Sequence, residues 1–176
     1  MGKPTTGRAI YANLPAMTQG DRGFTLIEMV VILAIVAILL LLALPSYQDR
    51  IVRDQIAEAL PLADIVKAPV AGAWTTSQAF PADNAAAALP PPEKIVNNFV
   101  AAVAIESGAI HITFGNRANG QIKGKVLTLR PAVVEDAPIV PVTWVCGYAP
   151  APDKMTVRGA NRTDIPPVYL PFRCRA

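Results

Sequence analysis

One stretch limits what this chain can become. Residues 24–44 read FTLIEMVVILAIVAILLLLAL, apolar throughout except for Thr25 and a single carboxylate, Glu28. As a helix the run would extend about 31 Å, roughly one bilayer hydrocarbon core. The chain is 52% apolar and 16% charged, with the apolar excess gathered in this segment. Its 176 residues leave room for one small domain beyond it. The net charge of +3 sits mostly at the front, where Lys3, Arg8 and Arg22 face only Asp21. The high isoelectric point therefore describes a basic N-terminal tail and points to no nucleic-acid partner. By the positive-inside rule such a tail stays cytoplasmic and the rest of the chain goes outward.

On residue physics alone three readings compete. A secretory signal peptide would need small residues at a cleavage site after the run, but LLALPSYQ has Leu41 at one of those places. A plain signal anchor makes Glu28 an interfacial accident, and near the interface one acid is cheap. A third reading cuts the chain before the run, between Gly23 and Phe24, and keeps the apolar segment in the product. The plain anchor stands ahead of the signal peptide.

The letters RGFTLIE, residues 22–28, add to this. A basic residue, a glycine, a phenylalanine and an acid at the fifth position after the glycine resemble the processing site of type IV prepilins, in a type IVa-like form. The resemblance implies a cut after Gly23 by a membrane prepilin peptidase that also methylates the new N-terminus at Phe24. It makes Glu28 the carboxylate of filament assembly. Pro45 and Tyr47 in LPSYQD stand where such pilins commonly carry a proline and a tyrosine. AFPADNAAAAL (79–89) resembles the loop after the family's long helix, GAIHITFGNRANGQIKGKVLTLRP its first strands, and VTWVCGY with YLPFRC its cysteine-bounded end. There are departures. The implied leader is long, and a start at Met17 would shorten it to MTQGDRG. Position 37 is alanine where a helix-loosening glycine is expected. Pro61 and Pro69 fall where the long helix continues.

The expected fold is α+β: a long N-terminal helix packed on a small antiparallel sheet, the lollipop form of the family. Its parts are a cytoplasmic leader (1–23), a transmembrane and assembly helix (24–45) and an amphipathic continuation (46–75). A connecting loop (76–108) leads to a sheet with a disulfide-bounded C-terminal region (109–176). In the continuation Ile51, Val52, Ile56, Ala59, Leu60, Ala63 and Val66 recur every three or four residues, with polar residues between them. Pro45 and Pro61 delete backbone donors, which predicts kinks, and the helix is expected to end between Pro69 and Trp74. AIHITF alternates as a half-buried strand with His111 on its polar face. GNRANG reads as a turn, and QIKGKVLTLRP and PVTWVC as further strands.

The proline-rich tail after residue 149 has little regular structure and calls for a tether. Cys146 and Cys174 enclose 27 residues, and in a chain sent across the membrane a disulfide between them is the leading reading. It is worth about 3.5 kcal/mol in a loop-entropy account. The alternative is two unrelated buried thiols. No metal is expected, because His111 is the only histidine and sits alone on a strand. No phosphate loop, nucleophile–histidine pair or HExxH is present, so neither enzyme nor cofactor is expected. Arg158, Arg162, Arg173 and Arg175 crowd the cysteine loop. A solvated basic surface is the plain reading and a DNA-touching patch the sharper one, unsupported by interleaved aromatics. Asn161-Arg162-Thr163 matches a glycosylation sequon.

The resemblance thus implies a structural subunit that waits as a single-pass protein in the inner membrane, N-terminus cytoplasmic and C-terminus periplasmic. It is trimmed and then polymerises with identical or related pilins, served by platform and motor proteins. The filaments of the family serve adhesion, twitching motility or DNA uptake. A type II secretion pseudopilin is the runner-up; the C-terminal cysteine pair and the lack of an acidic calcium cluster count against it. A membrane-anchored periplasmic enzyme or binding domain is the rival from another class, and predicts an uncut N-terminus and a polar pocket.

Overall fold

The computed structural model describes Gly2 and residues 23–176; Met1 and residues 3–22, with most of the expected leader and Met17, lie outside the described residues. The chain divides into two compact units, one up to Leu40 and one from Leu41 to Ala176. Helix α1 spans Leu26–Ser77. Its portion in the first unit is apolar on every side, and the large hydrophobics from Leu26 to Leu40 are all exposed. An all-round apolar helix suits lipid or other helices, not water. By length and composition it is able to cross a membrane.

In the second unit the helix turns amphipathic. Val52, Ile56, Ala59, Leu60, Ala63, Val66, Val70 and Trp74 are buried in one stripe, while Ile51, expected with them, is exposed. The helix does not stop between Pro69 and Trp74. It runs unbroken past Pro45, Pro61 and Pro69 to Ser77. The side chains of residues 44–46, Pro45 among them, lie outside the described residues. For the other two prolines the physical reason is exposure. The carbonyls that lose an amide partner belong to Ala57 and Ile65, both exposed residues, so water is within reach of each. The end itself is set by Gln78, which takes a left-handed φ of 53° and returns its N–H to the Trp74 carbonyl at 2.9 Å.

Five strands follow: β1 (Val100–Glu106), β2 (Ala109–Phe114), β3 (Val126–Val133), β4 (Thr143–Cys146) and β5 (Thr156–Val157). They pair antiparallel in the order β1-β2-β3-β4, with β5 added on β3. β1 lies inside the segment expected as connecting loop. β3 begins at Val126, five residues later than expected, because residues 119–125 are spent on turns. It also continues past Pro131, which is tolerated because the last β2 pairing is at Leu129. Val103, Ile105, Ile110, Ile112, Phe114, Leu127 and Leu129 share one hydrophobic core with the buried stripe of α1.

His111 is not on a solvated face. It is 5% exposed. The C-terminal segment covers that side of the sheet: the Arg162 N–H donates to Thr128 Oγ1 at 3.0 Å, and the Thr128 N–H donates to Thr163 Oγ1 at 3.0 Å. Gly159 passes so close to Ala109 that a Cβ on it would fall 2.6 Å from the alanine Cβ, at a φ of 82° that favours glycine.

Candidate functional site: the helix N-terminus and the tethered tail

Helix α1 begins with a side-chain cap. Thr25 Oγ1 accepts the Glu28 N–H at 3.3 Å, and the Thr25 carbonyl accepts the first helical N–H, from Met29, at 3.1 Å. Glu28 therefore stands in the first turn, where the positive end of the helix dipole favours an anion. Its carboxylate makes no hydrogen bond or ion pair among the described residues. Gly23, Phe24, Thr25 and Glu28 border one open cleft. Phe24 is 66% exposed, and a Cβ built on Gly23 would meet nothing within 4 Å. Among the described residues nothing crowds position 23, so no contact there calls for a glycine.

At the other end, Cys146 of β4 is bonded to Cys174. The bond fixes a tail that otherwise holds by scattered contacts. Arg53 Nε donates to the Val168 carbonyl at 3.0 Å, the Tyr148 hydroxyl to the Thr163 carbonyl at 2.9 Å, and the Tyr148 N–H to the Cys174 carbonyl at 2.9 Å. Three of the four arginines at the cysteine loop have separate engagements. Arg158 pairs with Glu135 at 2.6 Å and Arg162 with Glu106 at 2.6 Å. Arg175 lies over the Phe172 ring and donates to the Leu170 carbonyl. Two of the charges expected in a phosphate-binding patch are thus matched by carboxylates. Asn161 of the sequon uses its amide on the Gly147 carbonyl at 2.9 Å.

Two buried polar centres were not expected from the sequence, which placed His111 on a polar face. Asn84 is 4% exposed and joins the loop after α1 to β1: its amide donates to the Pro90 and Val103 carbonyls, and its oxygen accepts the Ile105 N–H at 2.7 Å. His111 Nδ1 lies 3.0 Å from Thr128 Oγ1, and its Nε2 is 3.6 Å from Glu106. Burial lowers the His111 pKa, the Arg162 guanidinium adds to the effect, and Glu106 opposes it.

An unpartnered apolar helix with one acid at its start, on a chain whose other unit is a small disulfide-closed α+β fold, defines a class of anchored subunit whose helix needs lipid or other helices around it. The comparisons are specific about which. The pilin family, a family of bacterial filaments, matches residues 52–175, and the prokaryotic N-terminal methylation motif matches residues 19–44. A type IV major pilin protein of Neisseria gonorrhoeae is 34% identical over 161 residues, 88% of this chain and 87% of that protein. A fimbrial protein of Neisseria meningitidis is 32% identical over 164 residues, 88% of this chain and 94% of that protein. Fimbrial protein EcpC of Eikenella corrodens is 38% identical over 133 residues, 74% of this chain and 84% of that protein. The chain belongs to the pilin family. It is a structural pilus subunit and not an enzyme, anchored by its apolar helix before it enters a surface filament.

Proposed function

We propose that this chain is the precursor of a type IV pilus subunit, cut between Gly23 and Phe24, methylated on the new Phe24 amine and polymerised through residues 24–44. The observation that carries the reading is the exposed apolar start of α1 with Glu28 as its one acid. A soluble protein would hide such a helix; a subunit that moves from bilayer to filament core has a use for every side of it. Before assembly the basic leader keeps the N-terminus cytoplasmic and the disulfide-bearing unit lies across the inner membrane. A prepilin peptidase with methyltransferase activity handles residues 23 and 24, and platform and motor proteins drive extension.

The test is the mass and first residue of the protein recovered from surface filaments. An N-methylated phenylalanine at position 24 is the expected result. Gly23→Val should leave full-length precursor in the membrane fraction; normal trimming of that variant would refute the assignment of the cut.

A further inference from the structure

The two halves of the disulfide are not equivalent. Cys174 is fully buried. Gly147 presses on it so closely that a Cβ there would fall 2.7 Å from the Cys174 carbonyl oxygen and 3.5 Å from its Cβ, with Leu170 at 3.4 Å. Cys146 is 6% exposed and helps to line a small cavity of about 100 Å³ with Leu60, Leu129, Trp144, Lys67 and Arg173. Cys174 is not among its walls. Lys67 Nζ lies 5.9 Å from the Trp144 ring centre and is shared with Asp64 at 2.7 Å. Arg173, exposed, has no carboxylate partner among the described residues, so the cavity keeps a net positive character.

Thiol–disulfide exchange needs a thiolate to approach along the sulfur–sulfur axis from the side of the sulfur it attacks. Negative charge then spreads over three sulfurs. A cavity lined by one cysteine of the pair and not the other favours attack at that cysteine's sulfur, and cations at its wall draw in an anion and favour that charge. We propose that Cys146 is the sulfur through which this tether is opened and closed, in exchange with the thiolate of a dithiol–disulfide partner. In opening, the partner's thiolate bonds to Cys146 Sγ and the bond to Cys174 breaks. The electron pair leaves on Cys174 Sγ, which takes a proton from water. The partner's second thiolate then attacks its own sulfur in the mixed disulfide and releases Cys146, so the partner is oxidised by two electrons and the tether reduced by two. Closing is the reverse. The Cys146 thiolate attacks the partner's disulfide, and Cys174 attacks Cys146 Sγ and expels the reduced partner.

The experiment uses the full chain in detergent, disulfide intact, with glutathione as the probe. After brief exposure the reaction is quenched in acid, free thiols are blocked with N-ethylmaleimide and the peptides are mapped. Glutathione should be found on Cys146 with the maleimide on Cys174, in excess over the reverse by about tenfold or more. Arg173→Gln should slow reaction with anionic glutathione more than with cationic cysteamine, and added salt should narrow that difference. Even labelling of the two sulfurs, glutathione mainly on Cys174, or a variant that slows both thiols alike would each overturn the proposal. Filament assembly does not enter the readout.

Discussion

At His111 burial and the neighbouring Arg162 guanidinium act against the protonated ring. Thr128 Oγ1 accepts the Arg162 N–H and lies 3.0 Å from His111 Nδ1, while Nε2 is 3.6 Å from Glu106. Charging the ring means burying a cation beside the Arg162 guanidinium, with only Glu106 in favour. The folded pKa lies below the unfolded value of about 6.5. The unfolded chain therefore takes up the proton first. The stability contributed by this site is complete above about pH 6.5 and is lost as pH falls from there toward the lower folded pKa. Thermal unfolding of the wild type should show that slope and His111→Gln should lack it; equal slopes would exclude His111 as the source. Asn84 gives a second test at this scale. Asn84→Ala strands the buried Ile105 N–H and Val103 carbonyl and should destabilise the fold by about 2–4 kcal/mol, read as a lower unfolding midpoint. Neither centre was legible beforehand. An asparagine in an Ala- and Pro-rich loop looks like turn chemistry, and alternation along β2 reports which face a residue takes, not whether residues 159–164 will cover it.

Elements were legible where their period was clean. The stripe from Val52 to Val66 and the strand AIHITF repeat at 3.6 and 2 residues, and both elements formed, although the strand is buried on both faces and not half-buried. Strand β1 was hidden by its own irregularity. The register shifts between Val100 and Ala102, which puts buried Val100 and Val103 three residues apart, and alanines at 101, 102 and 104 supply little strand preference. Helix α1 outran Pro61 and Pro69, whose freed carbonyls belong to exposed residues, which bare proline chemistry cannot reveal. Proline's remaining cost predicts that Pro61→Ala raises the unfolding midpoint, by up to about 3 kcal/mol in stability; no change or a fall would mean that the helix is already relaxed around the ring. The tail depends on its tether more than on its secondary structure. β5 has only two residues, and the two tail turns near residues 167–174 are single 3₁₀ turns. Cys174→Ser should therefore expose residues 150–176 to limited proteolysis while leaving the α1–sheet core resistant. Equal cleavage of wild type and variant would show that the polar contacts suffice.

At the scale of the molecule the question is why an otherwise apolar segment keeps Glu28. An anionic carboxylate within hydrocarbon costs on the order of 2–3 kcal/mol without a partner, and less near the interface. The subunit supplies no partner for it among the described residues. The proposed cut after Gly23 would create one, the α-amine of Phe24, four residues before Glu28 in the chain. Two helices packed side by side with an axial offset could bring one subunit's carboxylate to the next subunit's amine. In an apolar core that contact is strong when made and costly when missed. Apolar surfaces slide past one another with little change in energy, whereas a buried charge fixes the offset at which it is matched. On the proposed processing and packing, Glu28 would act as the register mark of assembly. Glu28→Ala and Glu28→Gln should be inserted, cut and methylated as in the wild type, yet enter filaments poorly, because both remove the charge and the second keeps the shape. The measurement is the yield of sheared filaments relative to subunit in the membrane fraction. Loss in both variants with processing intact is the expected outcome. Full assembly of both would make Glu28 a tolerated interfacial acid and leave the register to the apolar surface alone.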